Sequence, residues 1–411
     1  MTSGAMGIPT RLETLDEWLR ASKQARASGL KLCLERIDAD EPSIHAWVQV
    51  HPQRPTGEGK LSGIPFGAKD IMETRGLATE YGSPVYKGRI GEADAAIVRE
   101  LRGRGAILLG KTQTAAFAMR DPAPTRNPRN VNHSPGGSSS GSAAAVAAGM
   151  VPFAIGTQTA GSVLRPASYC GVTGFKASFG LFPLEGVLPC ARSLDTLGFF
   201  THTPADMLLL WEALGRPAAA DEEFVLGIPG AMPESEPEMT AAIQRALRSL
   251  RKAGIPFRQI DISAMLVGLN DAHRTIMYFE SSRFHRQRVE EYGDQLGYVA
   301  EAVRDGLQIS EAEYNHAIEY VGKCKARIGE VLTAASVIVT PAAVGPAPLG
   351  LTSTGDPRMN SPWSALGTPA ISIPMPVSDG LPLGLQLTTA FGQDARLPRA
   401  AVRIHQIVNA D

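Results

Sequence analysis

From Gly136 to Gly149 no side chain of this 411-residue chain is larger than valine. Such a stretch cannot fill a core with bulk, so a helix made of it packs by bringing its backbone close to other backbone. Asp121 to Gly137, rich in proline and glycine, reads as the loop that leads in. Ser142 to Met150 reads as the helix, and Val151 to Gly156 as a short apolar strand running into the turn that bears Ser162. Loop, helix, strand and turn in that order allow two polar islands to fold back towards each other. These are Gly136-Gly137-Ser138-Ser139-Ser140-Gly141 and Thr159-Ala160-Gly161-Ser162.

A third segment belongs with them, Gly63-Ile64-Pro65-Phe66-Gly67-Ala68-Lys69-Asp70. Serine is a poor nucleophile at neutral pH without a base beside it. Lysine can be that base only where desolvation keeps it neutral part of the time. The apolar run before Lys69 suits such a position, whereas a lone lysine would more often be exposed or paired, here with Asp70. The serine islands have bland readings too: a linker, a phosphate-cradling loop, a turn or a helix cap. The serine island is not followed by the lysine that the GxxxxGK[ST] of a phosphate loop requires, and Ser162 does not sit in a GxSxG elbow. The structured sequence that follows at once argues against a linker.

Taken together, these segments resemble the amidase signature family. The resemblance runs through GIPFGAKD (63–70), GKT (110–112), SPGGSSSGSAAAVAAGMVPFAIGTQTAGSVLRPASYCGVTGFK (134–176) and SLDTLGFFTHTPAD (193–206). It continues at SALGTPAISIP (364–374) and GLPLGLQL (380–387), its motifs spaced over roughly half of the chain. It implies an α/β fold, a mixed central sheet sandwiched between helices, and a Ser–cis-Ser–Lys triad. Carried over by position, Lys69 is the base, Ser138 the cis-serine that relays protons, and Ser162 the nucleophile. Ser162 follows Ser138 by 24 residues (162 − 138), the separation of the family pattern. The backbone N–H groups of Thr159, Ala160, Gly161 and Ser162 are the implied oxyanion hole. The implied activity is hydrolysis of a C–N acyl bond without a cofactor, on a small amide, aryl amide, carbamate or ester. Two alternatives stay open: a glutamine-hydrolysing amidotransferase of the A type, and a non-catalytic binding protein on the same scaffold.

The departures from the pattern carry information. Many members read Asp-x-Gly-Gly-Ser-(Ile/Val)-Arg around the nucleophile. Here the acid is Gln158, one glycine is Ala160, and the arginine falls one place later at Arg165. The acid–arginine support is therefore in doubt, and the Ala160 methyl restricts the turn. Ala116-Phe117 replaces a Glu-Phe, which leads to the expectation of an apolar, aromatic-favouring pocket. Ser139, Ser140 and Ser142 are expected to satisfy backbone groups or cap the helix, and Asp195 to be a structural anchor.

The remaining sequence bounds the setting. Lys and Arg number 40 and Asp and Glu 41, a net charge of −1 that invites neither nucleic acid nor an anionic membrane. The arginines at 283, 286 and 288 read as a solvated helix face. Cys33, Cys170, Cys190 and Cys324 are scattered, which suggests free thiols in a reducing cytosol. The polar start MTSGAMGIPT is unlike a signal peptide, and no apolar run reaches about 18 residues, so the expected address is the cytoplasm. The eight histidines show no ligand spacing, and no metal is expected. One domain is expected: helices in 1–60, a signature core in 61–213, a mainly helical pocket-shaping region in 214–330, and the rest of the core in 331–411. The oligomeric state is open, a homodimer included.

Overall fold

The computed structural model describes residues 12–220 and 222–410. The polar start MTSGAMGIPT, which bears on the question of a leader, lies outside the described residues. The chain begins with α1 (Leu15–Arg20), α2 (Lys23–Ile44), β1 (Trp47–Gln53) and β2 (Pro65–Lys69). There follow α3 (Ala96–Gly103), β3 (Ile107–Thr112), α4 (Ser140–Ala147), β4 (Phe153–Gln158), α5 (Leu164–Cys170), β5 (Thr173–Lys176) and β6 (Thr196–Thr201). Next come α6 (Pro204–Ala213), β7 (Leu226–Pro229), α7 (Pro237–Lys252), β8 (Phe257–Ile260), α8 (Ser263–Tyr292), α9 (Tyr298–Gln308) and α10 (Glu311–Ala334). The chain ends with β9 (Val337–Pro341), α11 (Ser361–Leu366), β10 (Ala370–Met375), β11 (Leu383–Thr388) and α12 (Arg396–Val408).

All eleven strands join one sheet in the order β1-β3-β2-β4-β6-β5-β10-β11-β9-β7-β8. β3, β2 and β4 are mutually parallel, as are β9, β7 and β8, while the strands between them pair antiparallel. This is the expected α/β class, a large mixed sheet flanked by helices. The central strands β2, β4, β5, β6 and β11 are buried at every residue. A strand covered on both faces loses the apolar–polar alternation that reveals a strand in sequence.

Several local expectations shift. The break between the first two helices falls at Ala21–Ser22, and Ser22 caps α2 by accepting from Ala25 N–H. Gly29 lies inside α2, where a Cβ would come 2.9 Å from the Trp18 ring. The first 60 residues also contribute an edge strand, β1, and α9 is an additional helix between the two long ones. All four cysteines are buried, and none forms a disulfide among the described residues. No described helix is long and apolar enough to cross a membrane.

The small-residue helix α4 packs as its composition dictates. A Cβ on Gly141 would stand 2.2 Å from the Ala46 carbonyl oxygen and 2.4 Å from the Gln113 nitrogen, both backbone atoms. Gly141→Ala is therefore expected to cost about 1–3 kcal/mol through overpacking. A lowered urea midpoint at unchanged m-value checks this; an unchanged midpoint would show that the backbones can part without cost.

Candidate active site

The parallel pairing of β2 with β4 sets the geometry. Phe66, Gly67 and Ala68 lie opposite Phe153, Ala154 and Ile155, so Lys69 and Thr157 emerge at neighbouring ends of the two strands. Lys69 Nζ lies 2.8 Å from Ser138 Oγ and 2.9 Å from Thr157 Oγ1, and the lysine is fully buried. Burial pulls the lysine pKa down to about 7, with Cys190 and Asp195 pulling weakly the other way. An amine at that value is substantially neutral at physiological pH.

Asp70 is not the partner of Lys69. It pairs with Lys111 of the GKT segment at 3.1 Å, where both side chains are buried. Lys111 Nζ also donates to the carbonyls of Met72 and Ala78 and to Thr79 Oγ1.

Ser138 follows a cis peptide after Gly137, and its carbonyl accepts from Ala115 N–H. Ser139 Oγ donates to the Thr157 carbonyl, Ser140 Oγ to Gly136 and Ser142 Oγ to Ile155. These serines satisfy backbone groups, and α4 carries no side-chain cap. Ser162 stands on the turn after β4, on the wall of a cavity of about 700 Å³. Ser139 N–H donates to the Ser162 carbonyl at 3.4 Å, which ties the two serine islands together. Lys69 and Ser138 are thus in direct contact, and Ser162 belongs to the segment laid against Ser138.

The turn itself is held from several sides. Gln158 Oε1 accepts from Val163 and Leu164 N–H, and its Nε2 donates to Ser364 Oγ. Arg165 donates from Nε to the Thr354 carbonyl at 2.6 Å and from Nη2 to the Gly137 carbonyl at 2.7 Å. Gln158 and Arg165 have separate partners; one holds the turn and the other the loop before Ser138. Asp195 is the expected anchor: Oδ1 accepts from Thr159 Oγ1 at 2.5 Å, and Oδ2 from Cys190 and Ala191 N–H. Burial pushes its pKa up to about 6. Ala160 lies outside the left-handed region, so its methyl brings no backbone strain. Gly161 has no room for one, since a Cβ there would meet Asn360 Oδ1 at 2.5 Å and Arg165 Nη1 at 2.8 Å.

Ala116-Phe117, expected to make the pocket apolar, does not line the cavity. Phe117 is fully buried against Tyr81, Tyr86 and His285, and only Ala118 and Met119 of that segment line the cavity. Its lining holds four arginines (120, 165, 274 and 358) against Asp271 and Asp356. Arg358 is paired with Asp356 at 2.6 Å. Arg165 is buried, and its Nη1 finds no acceptor. The arginines at 283, 286 and 288 are not simply a solvated face. Arg283 donates to the Gly306 and Ile309 carbonyls, tying α8 to α9 and its end. Thr157, His273 and Ser364 join the site without having been singled out in the sequence; Thr157 and Ser364 lie in segments that carry the resemblance, whereas His273 comes from α8, outside them. No group of three or more His, Cys, Asp or Glu among the described residues could hold a metal.

Comparison with known proteins is consistent with this geometry. Residues 31–397 match the model of the Amidase family. The A-type subunit of glutamyl-tRNA(Gln) amidotransferase from Thermotoga maritima is 30% identical over 450 aligned positions, covering 96% of this chain and 94% of that protein. A solved amidase structure superposes with a TM-score of 0.84 at 27% identity, over 96% of this chain and 98% of that one. The solved T. maritima amidotransferase chain superposes with a TM-score of 0.82 at 29% identity, over 94% and 93% of the two chains.

Proposed function

The chain belongs to the amidase family, hydrolases of carbon–nitrogen bonds, and from that premise we propose that it cleaves a small amide through an acyl-enzyme on Ser162. The observation that carries this is the Lys69–Ser138 contact at 2.8 Å, in a buried site that holds lysine near pKa 7. Ser162 Oγ attacks the acyl carbon while its proton passes to Ser138 Oγ and that of Ser138 to Lys69 Nζ. The carbonyl π pair moves onto oxygen, where N–H groups of the 159–162 turn receive it. On collapse the C–N bond breaks, and the departing nitrogen takes the proton back along the same relay. An amide nitrogen leaves poorly unless protonated, so the linked acid and base is what this substrate class demands. Water then repeats the sequence on the acyl-enzyme and releases the acid.

The relay sets a pH dependence. Only neutral Lys69 accepts a proton, so kcat/KM on an amide should fall about tenfold per unit below a midpoint near 7 and level off above it. A profile flat from about pH 5 to 9 would remove lysine from the base role.

The cavity supports one substrate class over others. A buried guanidinium N–H without an acceptor is costly, and a ligand carboxylate relieves it. With an excess of arginine over aspartate around it, the site favours an amide whose acyl part carries a carboxylate. Ammonia release from succinamic acid, butyramide, glutamine, an aryl amide, an aryl ester and a carbamate, read together with acid or phenol release, tests this. Succinamic acid should exceed butyramide at least about tenfold in kcat/KM, the worth of one charge-assisted hydrogen bond; the reverse order would overturn the anionic preference. The second reading, a glutamine-hydrolysing amidotransferase component, is favoured by the full-length similarity to the T. maritima protein. Glutamine turnover that appears only with a copurified partner would establish it over the first. A protein inert on the whole panel, whose Ser162 also fails to react with a fluorophosphonate, would leave a binding protein on this scaffold.

A further inference from the structure

His273 sits on α8, far in sequence from every segment that carries the relay, yet its ring is buried on the wall of the Ser162 cavity. Nε2 lies 2.9 Å from the Thr159 carbonyl oxygen. A carbonyl oxygen only accepts, so this neutral ring carries its hydrogen on Nε2. Burial pushes the pKa down to about 4, which keeps the ring uncharged throughout the working range.

The carbonyl of Thr159 and the N–H of Ala160 belong to one planar trans peptide and point in opposite directions. Fixing the oxygen therefore fixes the aim of the N–H. The next peptide is fixed in the same way, because Ser364 Oγ of α11 donates to the Ala160 carbonyl at 2.8 Å. That sets the direction of Gly161 N–H. The N–H groups of Ala160, Gly161 and Ser162 have no backbone acceptor among the described residues.

We infer that His273 and Ser364 are positioning residues that hold two successive peptide planes of the 159–162 turn, so that Ala160 N–H and Gly161 N–H meet the oxyanion. This rests on the reading of Ser162 as nucleophile. The helices α8 and α11, which shape the substrate cavity, thereby also tune the chemical step. An anion donor removed outright costs about 10²–10³ in rate. A donor left in place but free to tilt loses part of that, about tenfold or more.

The test needs no knowledge of the natural substrate. A fluorophosphonate attacked by Ser162 forms a P–O bond, expels fluoride and places its phosphoryl oxygen in the oxyanion position. Inactivation kinetics of the purified chain give kinact and KI separately, with Ser162→Ala as the blank. His273→Ala and Ser364→Ala should each lower kinact at least about tenfold while KI stays within about threefold, and His273→Gln, which keeps an N–H donor, should restore most of the rate. Unchanged kinact in both alanine variants would overturn the inference, as would a loss in His273→Ala that follows its melting temperature and is not relieved by glutamine. If His273→Ala does not fold, Ser364→Ala and His273→Gln decide: a wild-type kinact for Ser364→Ala overturns the clamp. Failure of the wild type itself to label on Ser162 would instead overturn the nucleophile assignment, so the two failures are separable.

Discussion

Ser162→Ala is expected to abolish amide turnover, a loss of about 10⁵–10⁶ in kcat, and to do so in a folded protein. Removing the nucleophile of a serine hydrolase costs about as much as removing its whole relay, because the remaining members have nothing to activate. What survives is the contribution of the oxyanion turn and of binding. The substitution is structurally mild, because the Ser139 N–H bond to the Ser162 carbonyl is a backbone contact and is untouched. The melting temperature should stay within about a degree or two, as for a substitution that removes no structural contact, and fluorophosphonate labelling should vanish. Retained labelling at the wild-type rate would place the nucleophile elsewhere.

Lys69→Met should have the second largest effect, and the more diagnostic one. The loss on an amide is expected at about 10³–10⁴-fold, the range for a general base that also returns a proton. On an activated aryl ester it should be smaller by about one to two orders, because a phenolate leaves unprotonated. Equal losses on both substrates would remove the return of a proton to the leaving group from the role of Lys69. Methionine also keeps the volume, which alanine would not.

Stability should move the opposite way. The folded pKa of Lys69 lies near 7 against 10.5 for the free side chain, so between these values the unfolded chain binds the proton that the folded chain does not. Wild-type stability is therefore penalised in full below about pH 7, and the penalty fades as pH rises to about 10.5. Lys69→Met escapes it, and should be more stable than wild type at neutral pH by a margin that narrows towards about pH 10. Denaturant midpoints at about pH 7 and pH 10 check this; a variant no more stable than wild type at neutral pH would contradict it.

Much of the site is legible in the sequence because its members lie in contiguous, oddly composed segments. The glycine–serine–alanine run, the lysine after an apolar strand and the fixed separation of Ser138 and Ser162 are local facts. What local pattern does not reveal is contributed from afar. His273 lies 114 residues from the carbonyl it meets, and Ser364 lies 204 from its own. A single histidine on a helix gives no sign of which backbone atom it will face. The cavity lining differs from expectation for the same reason: Arg274 and Arg358 come from α8 and from the 354–361 segment, while Phe117, which suggests an apolar wall, turns into the core. Among the strands, β5 and β6 are hidden within their motifs because burial on both faces erases alternation. In sequence Gln158 reads as a lost acid; in the fold its amide uses an acceptor and a donor where a carboxylate has only acceptors.

Of the three buried lysines, Lys69 and Lys111 stand near the ends of adjacent strands of the same sheet, and their neighbours give them opposite occupations. Lys111 is surrounded by pure acceptors, two carbonyls and the Asp70 carboxylate, together with one hydroxyl. Lys69 bonds only to the two hydroxyls of Ser138 and Thr157, each able to offer a proton as readily as receive one. The first fastens the sheet to its loops; the second, on the proposed relay, takes up and releases a proton with each turnover. A carboxylate placed against Lys69, as Asp70 is against Lys111, would favour its charged form and turn the shuttle into a second rivet without altering a strand.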